Sequence, residues 1–276
     1  MKYNYLKKYK TFINSMRDKY IKIPNINDTY IPQGVSQIDN NILITYYDYT
    51  KKNNSIIYLY NITTQEARII TLDGTYHCGS ISYHAPSNSI YIPGNSSYIN
   101  KYNYQDILSK EKITYTKTFK IKNDNILISS ISNKPSIAYL SIYKDELYLG
   151  NFSHKKGIIK KYIIDKEGNI EENNYTLLIN PYKDTQGICK YYYNNEEYYI
   201  FSTSYTRFKD STLYITKLIN NTFKTIKKIK LPPMSEQINT NNKELYILFE
   251  SNAKVYRNSL NKIEDICYLD FEKLLN

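Results

Sequence analysis

The feature that most constrains this chain is an internal repeat that occurs five times. In each copy a small or polar residue precedes an Ile or Val, a short hydrophilic turn follows, and an apolar, Tyr-rich run then ends in polar residues. The copies open at Val35, Ile81, Ile137, Ile188 and Ile238, which lie 46, 56, 51 and 50 residues apart. A repeat of this length indicates one supersecondary unit used several times, so the unit decides the architecture.

Each copy has the pattern of several short strands separated by turns. In the first copy the predicted strands are 35–38, 42–47, 55–60 and 68–72. Four strands in about 50 residues match one blade of a β-propeller. The last copy is one strand short, and residues 19–24 ahead of the first copy can supply the missing strand, which would close the ring without an exposed edge.

We therefore predict an all-β fold, a five-bladed β-propeller with a short N-terminal helix. A six-bladed ring is the alternative, but it requires a blade within 113–132, which is too short for one, although 125–128 could form an additional strand. The predicted organisation is an amphipathic helix over 1–19 followed by a propeller over 20–276. We expect the helix to pack on the side of the barrel, and binding to a membrane surface is the alternative.

Charge and cysteine usage narrow the range of partners. The net charge is +11, but the Lys residues are scattered, and no nucleic-acid recognition motif is present, so specific nucleic-acid binding is not predicted. The three cysteines, Cys78, Cys189 and Cys267, are odd in number and far apart, so we expect buried free thiols rather than a disulfide framework. Without an apolar run long enough for a membrane span or a signal sequence, the chain reads as a cytoplasmic monomer, or as a secreted or cell-surface protein if a leader was removed.

Several local strings carry a resemblance. The repeated order of motifs in residues about 20–272 resembles that of the broad β-propeller superfamily of bacterial proteins. The strings 186–188, 202–205 and 249–254 are similar to those of a group of uncharacterised Gram-positive propeller proteins. That superfamily includes lectins, lactonases, nucleotidases, glycosidases and scaffolds, so the resemblance implies a fold and leaves the activity open.

Propeller geometry predicts where a site should lie. The first strand of a blade runs down the central channel and the second runs back, so the residues before the first strand and after the second meet at one channel mouth. The residues before the first strand are Gln33, His77, Ser136, Gln186 and Glu236, and those after the second are Asp48, Asn95, Asn151, Ser204 and Glu250. The next loops add Tyr47, His154, Arg207, Lys254 and Arg257.

Three functions are compatible with this mouth. The favoured one is binding of a small polar or anionic molecule, with His77 as a further hydrogen-bonding group. The residues predicted to bind it are Gln33, Asp48, Gln186, Ser204, Arg207 and Arg257.

The first alternative is a hydrolase of the ester, lactone, phosphate or glycoside type that depends on a metal, possibly Ca²⁺. The predicted oxygen ligands are Asp48, Asn151, Glu236 and Glu250. The predicted catalytic residues are His77 as base, Glu236 and Glu250, and Asp48 with Glu250 could instead form a glycosidase pair. The second alternative is a protein-interaction scaffold. No GxSxG, HExxH or P-loop motif is present, and His84 and His154 are expected to be surface residues.

Overall fold

The computed structural model describes residues 2–122, 137–241 and 243–276. An N-terminal segment begins with a 3-10 turn and continues directly into a short helix and a strand. These elements are the turn Lys7–Tyr9, α1 (Lys10–Ser15) and β1 (Met16–Lys22). The chain then forms antiparallel meanders of four strands each, as the repeat predicts.

The first two meanders follow in chain order, and a short helix interrupts the second. The first contains β2 (Tyr30–Ile38), β3 (Asn41–Asp48), β4 (Ile56–Asn61) and β5 (Ala67–Thr71). The second contains β6 (Ser82–His84), β7 (Ser89–Pro93), β8 (Tyr98–Asn103), α2 (Tyr104–Ser109) and β9 (Lys117–Lys120).

The third and fourth meanders touch at their outer edges. The third contains β10 (Tyr139–Tyr143), β11 (Glu146–Gly150), β12 (Gly157–Ile163) and β13 (Thr176–Asn180). The fourth contains β14 (Thr185–Tyr193), β15 (Glu196–Thr203), β16 (Ser211–Ile219) and β17 (Thr222–Leu231). A single parallel pairing between Ile179 and Thr222 joins β13 to β17, so the two meanders form one continuous sheet.

The last meander combines strands from both ends of the chain. It contains β18 (Ser235–Thr240), β19 (Leu245–Phe249) and β20 (Asp265–Leu269), and β1 pairs with β20 as its outermost strand. Between β19 and β20 lie the 3-10 turns Glu250–Asn252 and Lys254–Tyr256, and α3 (Phe271–Leu275) ends the chain. An N-terminal strand therefore forms the outer edge of the last meander.

The first strands of the meanders meet around one axis. β2 contacts β6, β6 contacts β10, β10 contacts β14, β14 contacts β18, and β18 contacts β2 again. Close approach depends on small residues, because a Cβ on Gly34 would lie only 2.7 Å from the backbone carbonyl carbon of Ser80. Meanders arranged radially with their first strands innermost make an all-β propeller, as predicted.

The N-terminal helix differs from its prediction. The helix ends at Ser15 and the closing strand begins at Met16, so the helical part is shorter than 1–19. Leu6, Tyr9 and Phe12 are buried in a core cluster that they share with β15, β19 and α3. The apolar face of this segment therefore packs on the barrel side, and its apolar residues cover that core.

Other sequence predictions meet the structure as follows. Cys78, Cys189 and Cys267 are buried free thiols, as expected. His84 was expected at the surface, which is wrong: it is fully buried, with its Nε2 3.1 Å from Asp145 Oδ1. Residues 125–128 and Ser136 lie outside the described residues. None of the helices in the described ranges is long and apolar enough to cross a bilayer.

Candidate functional site

Bulges at the starts of three first strands position the side chains at the channel mouth. The pairing register shifts between Pro32 and Gly34 in β2, between Thr185 and Gly187 in β14, and between Ser235 and Ile238 in β18. A bulge inserts an extra residue and re-aims its side chain. The extra residues include Gln33, Gln186 and Glu236, which are the positions that the sequence assigns to the mouth.

A polar plug crosses the channel beneath the mouth. Gln237 is fully buried; its Oε1 accepts hydrogen bonds from the backbone N–H of Val35 at 2.8 Å and of Ile81 at 3.0 Å. Its Nε2 donates to the carbonyl oxygen of Ile81 at 3.0 Å, and Asn239 Nδ2 donates to that of Val35 at 2.9 Å. One strand thus holds two neighbouring meanders together through its side chains, which gives the mouth a closed floor.

Sequence reasoning missed this plug. Gln237 and Asn239 flank Ile238 in an alternating strand and look like ordinary outward-facing polar residues. The available signal is that a first strand lines the channel, so its polar positions face other first strands rather than bulk water.

Two glutamates meet just above the plug. Glu236 is only 2% exposed, and Glu250 follows β19 at the same end of the channel. Burial, and then the charge of Glu250, raise the pKa of Glu236 well above its usual range. Burial raises the pKa of Glu250 to about 7, against a hydrogen bond from Gln33 Nε2 to its Oε2 at 3.1 Å. Two carboxyl groups with raised pKa values hold a proton between them near neutral pH.

Two phenols face this carboxyl pair. Burial is the main cause that raises the pKa of Tyr47 and of Tyr256, and the charge of Glu250 is the next. Both phenols therefore stay protonated and can donate hydrogen bonds. We name the group formed by Gln33, Tyr47, Glu236, Glu250 and Tyr256 the acid cup.

His77 lies beside the acid cup. Its ring centroid is 4.4 Å from that of Tyr47. The residue reaches solvent at the mouth, yet protein atoms crowd its ring, and this desolvation, followed by the charge of Lys51, lowers the pKa of His77 to about 4. His77 is therefore neutral at physiological pH, so one of its ring nitrogens can donate a hydrogen bond and the other can accept one.

Asp48 does not contribute a free carboxylate to the mouth. Its Oδ1 accepts hydrogen bonds from the backbone and hydroxyl of Thr50, and its Oδ2 accepts from the backbone and side chain of Asn53. Burial opposes ionisation, but these four hydrogen bonds outweigh it and lower the pKa of Asp48 to about 2. Asp48 stabilises its own loop.

The four predicted metal ligands do not form one site. Asn151 Oδ1 accepts a hydrogen bond from the backbone N–H of Ile158 at 3.1 Å, and both oxygens of Asp48 are engaged in its loop. Across 2–122, 137–241 and 243–276, no group of three or more His, Cys, Asp or Glu side chains is placed to hold a metal. Glu250 has Glu236 as its carboxyl partner, in place of the pair with Asp48 considered from the sequence.

The remaining predicted residues are spread around the mouth. Gln186 is partly exposed in β14, while Ser204 is buried and its backbone N–H donates to the carbonyl of Asp184 at 2.8 Å. Arg207 is exposed above the Phe208 ring. Its charge also acts on Tyr256, where it partly offsets the rise in the pKa of that phenol. Arg257 instead lies farther out, where Lys254 and then Arg257 lower the pKa of Asp28.

An apolar and basic rim lies beside the cup, on loops of the first, fourth and last meanders. The loops between second and third strands expose large apolar side chains, by 37% to 78% of their surface. These residues are Tyr49, Tyr205, Phe208, Val255 and Leu260. Basic residues lie among them: Lys51, Lys52, Arg207, Lys209, Lys254 and Arg257. We call these two sets together the rim.

Contacts between loops make the rim continuous. His154 of the third meander is exposed, as expected, and its ring lies 4.6 Å from that of Tyr205 in the fourth. Arg207 in that loop approaches Tyr256 of the last meander. A cleft of about 320 Å³ then joins Val255 to Tyr49 of the first meander.

Comparison with known proteins gives similarity in fold only. No family model matches the chain, and no curated protein matches it. Among solved structures it is similar to U3-55K, at 8% identity and a TM-score of 0.47, covering 91% of this chain and 97% of that one. It is also similar to the WD40 repeats of RRP9, at 8% identity and a TM-score of 0.46, covering 91% and 99%. A protein of unknown function from Bacteroides thetaiotaomicron aligns at 8% identity and a TM-score of 0.44, covering 94% and 74%.

Proposed function

We propose that this β-propeller is a protein-interaction scaffold that binds a polypeptide partner on its rim. The observation that carries the proposal is a set of exposed apolar side chains on loops at one end of the channel, among which Phe208 and Leu260 are more than 70% exposed. Contiguous apolar groups rimmed by polar residues are typical of interaction sites, whereas isolated ones are ordinary. Aromatic and Arg side chains are also the types that anchor protein interfaces.

We also infer that the ring has five blades. In the described part of the chain, the first strands of the meanders contact one another in a closed cycle, which supports a ring of five. The sequence between the end of β9 at Lys120 and the start of β10 at Tyr139 is far shorter than the roughly 40 residues that a blade needs. A rigid ring of this kind supports loops of any sequence, which suits a binding face.

Charge indicates the chemistry of the partner. Lys51 and Lys209 are exposed on the same loops as apolar side chains of the rim, while Lys254 pairs with Asp28 at 2.9 Å, and the whole chain carries a net charge of +11. The complementary partner is an acidic segment that also carries apolar side chains, because opposite charge steers encounter and apolar burial supplies affinity. A small anion, the ligand favoured from the sequence, would instead meet Glu236 and Glu250 at the base of the mouth.

The test uses defined peptides and matched triple variants. Fluorescent 12-residue peptides would alternate Asp or Glu with Leu or Phe, and a second set would replace the acids by Lys. The rim variant is Tyr205→Ser, Phe208→Ser and Leu260→Ser. The control variant is Ile69→Thr, Ile163→Thr and Ile226→Thr, which changes exposed apolar residues on β5, β12 and β17.

We expect the acidic apolar peptides to bind and the rim variant to bind them at least tenfold more weakly, with the control unchanged. Raising the salt concentration should weaken the binding, because the rim charges are exposed. If no acidic peptide binds, or if both triple variants lose affinity equally, the rim is not the binding face.

A further inference from the structure

We propose that the acid cup binds the cationic side chain of a lysine carried by the partner. This inference rests on the proposed function, because the cup adjoins the rim on which the partner would sit. Tyr256 belongs to the cup, while its neighbours Val255 and Arg257 belong to the rim. A side chain projecting from a segment on the rim would therefore reach the carboxyl pair.

The first argument is the unsatisfied state of Glu236. Glu236 is 2% exposed, and none of the described residues donates a hydrogen bond to its carboxyl group. Burial and the charge of Glu250 raise its pKa. Buried polar groups are nearly always hydrogen-bonded, and a buried carboxylate without a counter-charge is costly. Gln237, the next residue, shows that the same strand can satisfy a buried amide fully. The Glu236 oxygens are not among the described polar atoms that are wholly enclosed without a partner, so they open towards the mouth, where a donor from outside the chain can replace water.

The second argument is the chemistry of the cup wall. Gln33 donates to one oxygen of Glu250, which orients that carboxylate while its other oxygen keeps its acceptor capacity. Tyr47 and Tyr256 add aromatic rings and phenol oxygens beside the two carboxyls. Acceptor oxygens and aromatic faces together are what a protonated amine requires, because it has three donors and no acceptor.

Other ligand classes fit the cup less well. A small anion is opposed by the two carboxyl groups. A divalent cation needs more oxygen ligands than the two carboxyls that the described part of the chain supplies, and no third acidic or His ligand joins them there. A single positive charge, in contrast, balances a carboxyl pair that retains one proton.

The charged and titratable groups around the pair define how binding responds to pH. Tyr47 faces it from β3, Tyr256 and Arg207 face it from two loops, and His77 with Lys51 lies beyond Tyr47. The phenols and His77 are neutral and Arg207 is always charged, so the carboxyl pair is what changes near neutral pH. A cation favours the ionised pair, so binding should strengthen as pH rises through about 7, with release of a proton.

The experiment titrates the whole protein with blocked tripeptides by calorimetry. The probe is acetyl-Gly-Lys-Gly-amide, and the uncharged control is the same peptide with norleucine in place of Lys. Acetyl-Gly-Arg-Gly-amide tests guanidinium, and Gly-Gly-Gly-amide tests a free N-terminal amine. The protein variants are Glu236→Gln and Glu250→Gln, and the matched control is the exposed Glu111→Gln.

We expect the Lys peptide to bind at least tenfold more tightly than the norleucine peptide, and either cup variant to abolish that difference while Glu111→Gln keeps it. Binding should be at least fivefold tighter at about pH 8 than at about pH 5.5, with proton release seen as a buffer-dependent heat. Preference for the Arg peptide or the free amine would overturn the assignment to lysine. No binding up to about 20 mM, or equal binding by Glu236→Gln, would overturn the cup as a cation site.

The two proposals fail in different ways. The rim triple variant should bind the Lys tripeptide normally, and Glu236→Gln should bind the acidic apolar peptides normally. If the protein binds the acidic peptides but not the Lys tripeptide, the cation site is contradicted and the rim remains the binding face. If the protein binds the Lys tripeptide but not the acidic peptides, the rim is contradicted as the binding face.

Discussion

Gln237 and Glu236 are neighbours in one strand, both are buried, and their environments are opposite. Gln237 bonds to two backbone N–H groups and a carbonyl of the adjoining meanders, and so holds the ring together. Glu236 accepts no hydrogen bond from the described residues, and the like charge of Glu250 acts on it. A buried polar group that is satisfied contributes to folding, whereas one left unsatisfied costs stability and indicates a ligand. The plug and the cup therefore predict stability changes of opposite sign.

Removal of the plug should have the largest effect. Gln237→Leu would leave the backbone N–H groups of Val35 and Ile81 buried without acceptors, so we expect a loss of about 3 kcal/mol or more in the free energy of unfolding. Urea unfolding of this variant, with the exposed Gln105→Leu as control, measures it. A loss below about 1 kcal/mol would show that the plug does not hold the ring.

Neutralising the cup should stabilise the protein. Because Glu250 has a pKa of about 7, the folded pair binds protons that the unfolded chain releases above pH 4.5, so wild-type stability falls as pH rises through about 7. Glu236→Gln should therefore gain about 2 kcal/mol at about pH 8 and gain little at about pH 5. The measurement is the melting temperature over this pH range. A variant that is less stable than wild type at the higher pH would contradict the unsatisfied state of Glu236.

The loop of Asp48 should behave unlike the cup, although both are acidic and lie near the mouth. Asp48→Asn weakens hydrogen bonds to Thr50 and Asn53, and we expect a loss of about 1.5 kcal/mol. The pKa of Asp48 is lowered to about 2, so its contribution is present above the unfolded value near 3.8 and is lost only as pH falls through about 2. The loss measured by urea unfolding should thus be the same at about pH 5 and pH 8. A strong pH dependence in that range would mean that Asp48 faces the glutamates.

The smallest effect concerns His77. The pKa of His77 is lowered to about 4 in the folded protein, so wild-type stability should decline as pH falls from about 6.5, because the unfolded chain binds that proton first. Proton NMR of the ring, with His77→Asn to assign the signal and the exposed His154 as an internal comparison, gives the midpoint. A midpoint near 6.5 would show that the surrounding protein does not desolvate the ring of His77.

The architecture could be predicted from the sequence because each repeat consists of strands and turns that have local sequence patterns. The spacing of the apolar openings and the missing strand of the last copy led to the ring and to its closure by the N-terminal segment. The same topology placed Gln33, Glu236 and Glu250 at one mouth, and the structure brings these three together. What this trio does stays a proposal.

Other features could not be predicted because they depend on which atoms meet across the ring. Asp48 looked like a metal ligand, but both of its oxygens accept hydrogen bonds from Thr50 and Asn53 of its own loop. These contacts depend on the conformation of the folded turn. Gln237 looked like a surface amide, and its partners lie more than 150 residues away in the chain. Likewise, His84 is buried with its Nε2 3.1 Å from Asp145 Oδ1 of another meander, a contact that the sequence does not reveal.

The titration of the cup carboxyls tests the central claim most directly. Carbon-13 NMR of Glu side-chain carboxyls, with Glu236→Gln and Glu250→Gln for assignment, follows each group with pH, first alone and then with acetyl-Gly-Lys-Gly-amide. We predict that the midpoint of Glu250 lies near 7 in the free protein and moves lower with the peptide, while the pKa of Glu236 also lies well above its usual value. Midpoints near 4.5 for both groups, unmoved by the peptide, would contradict a buried carboxyl pair that awaits a cation.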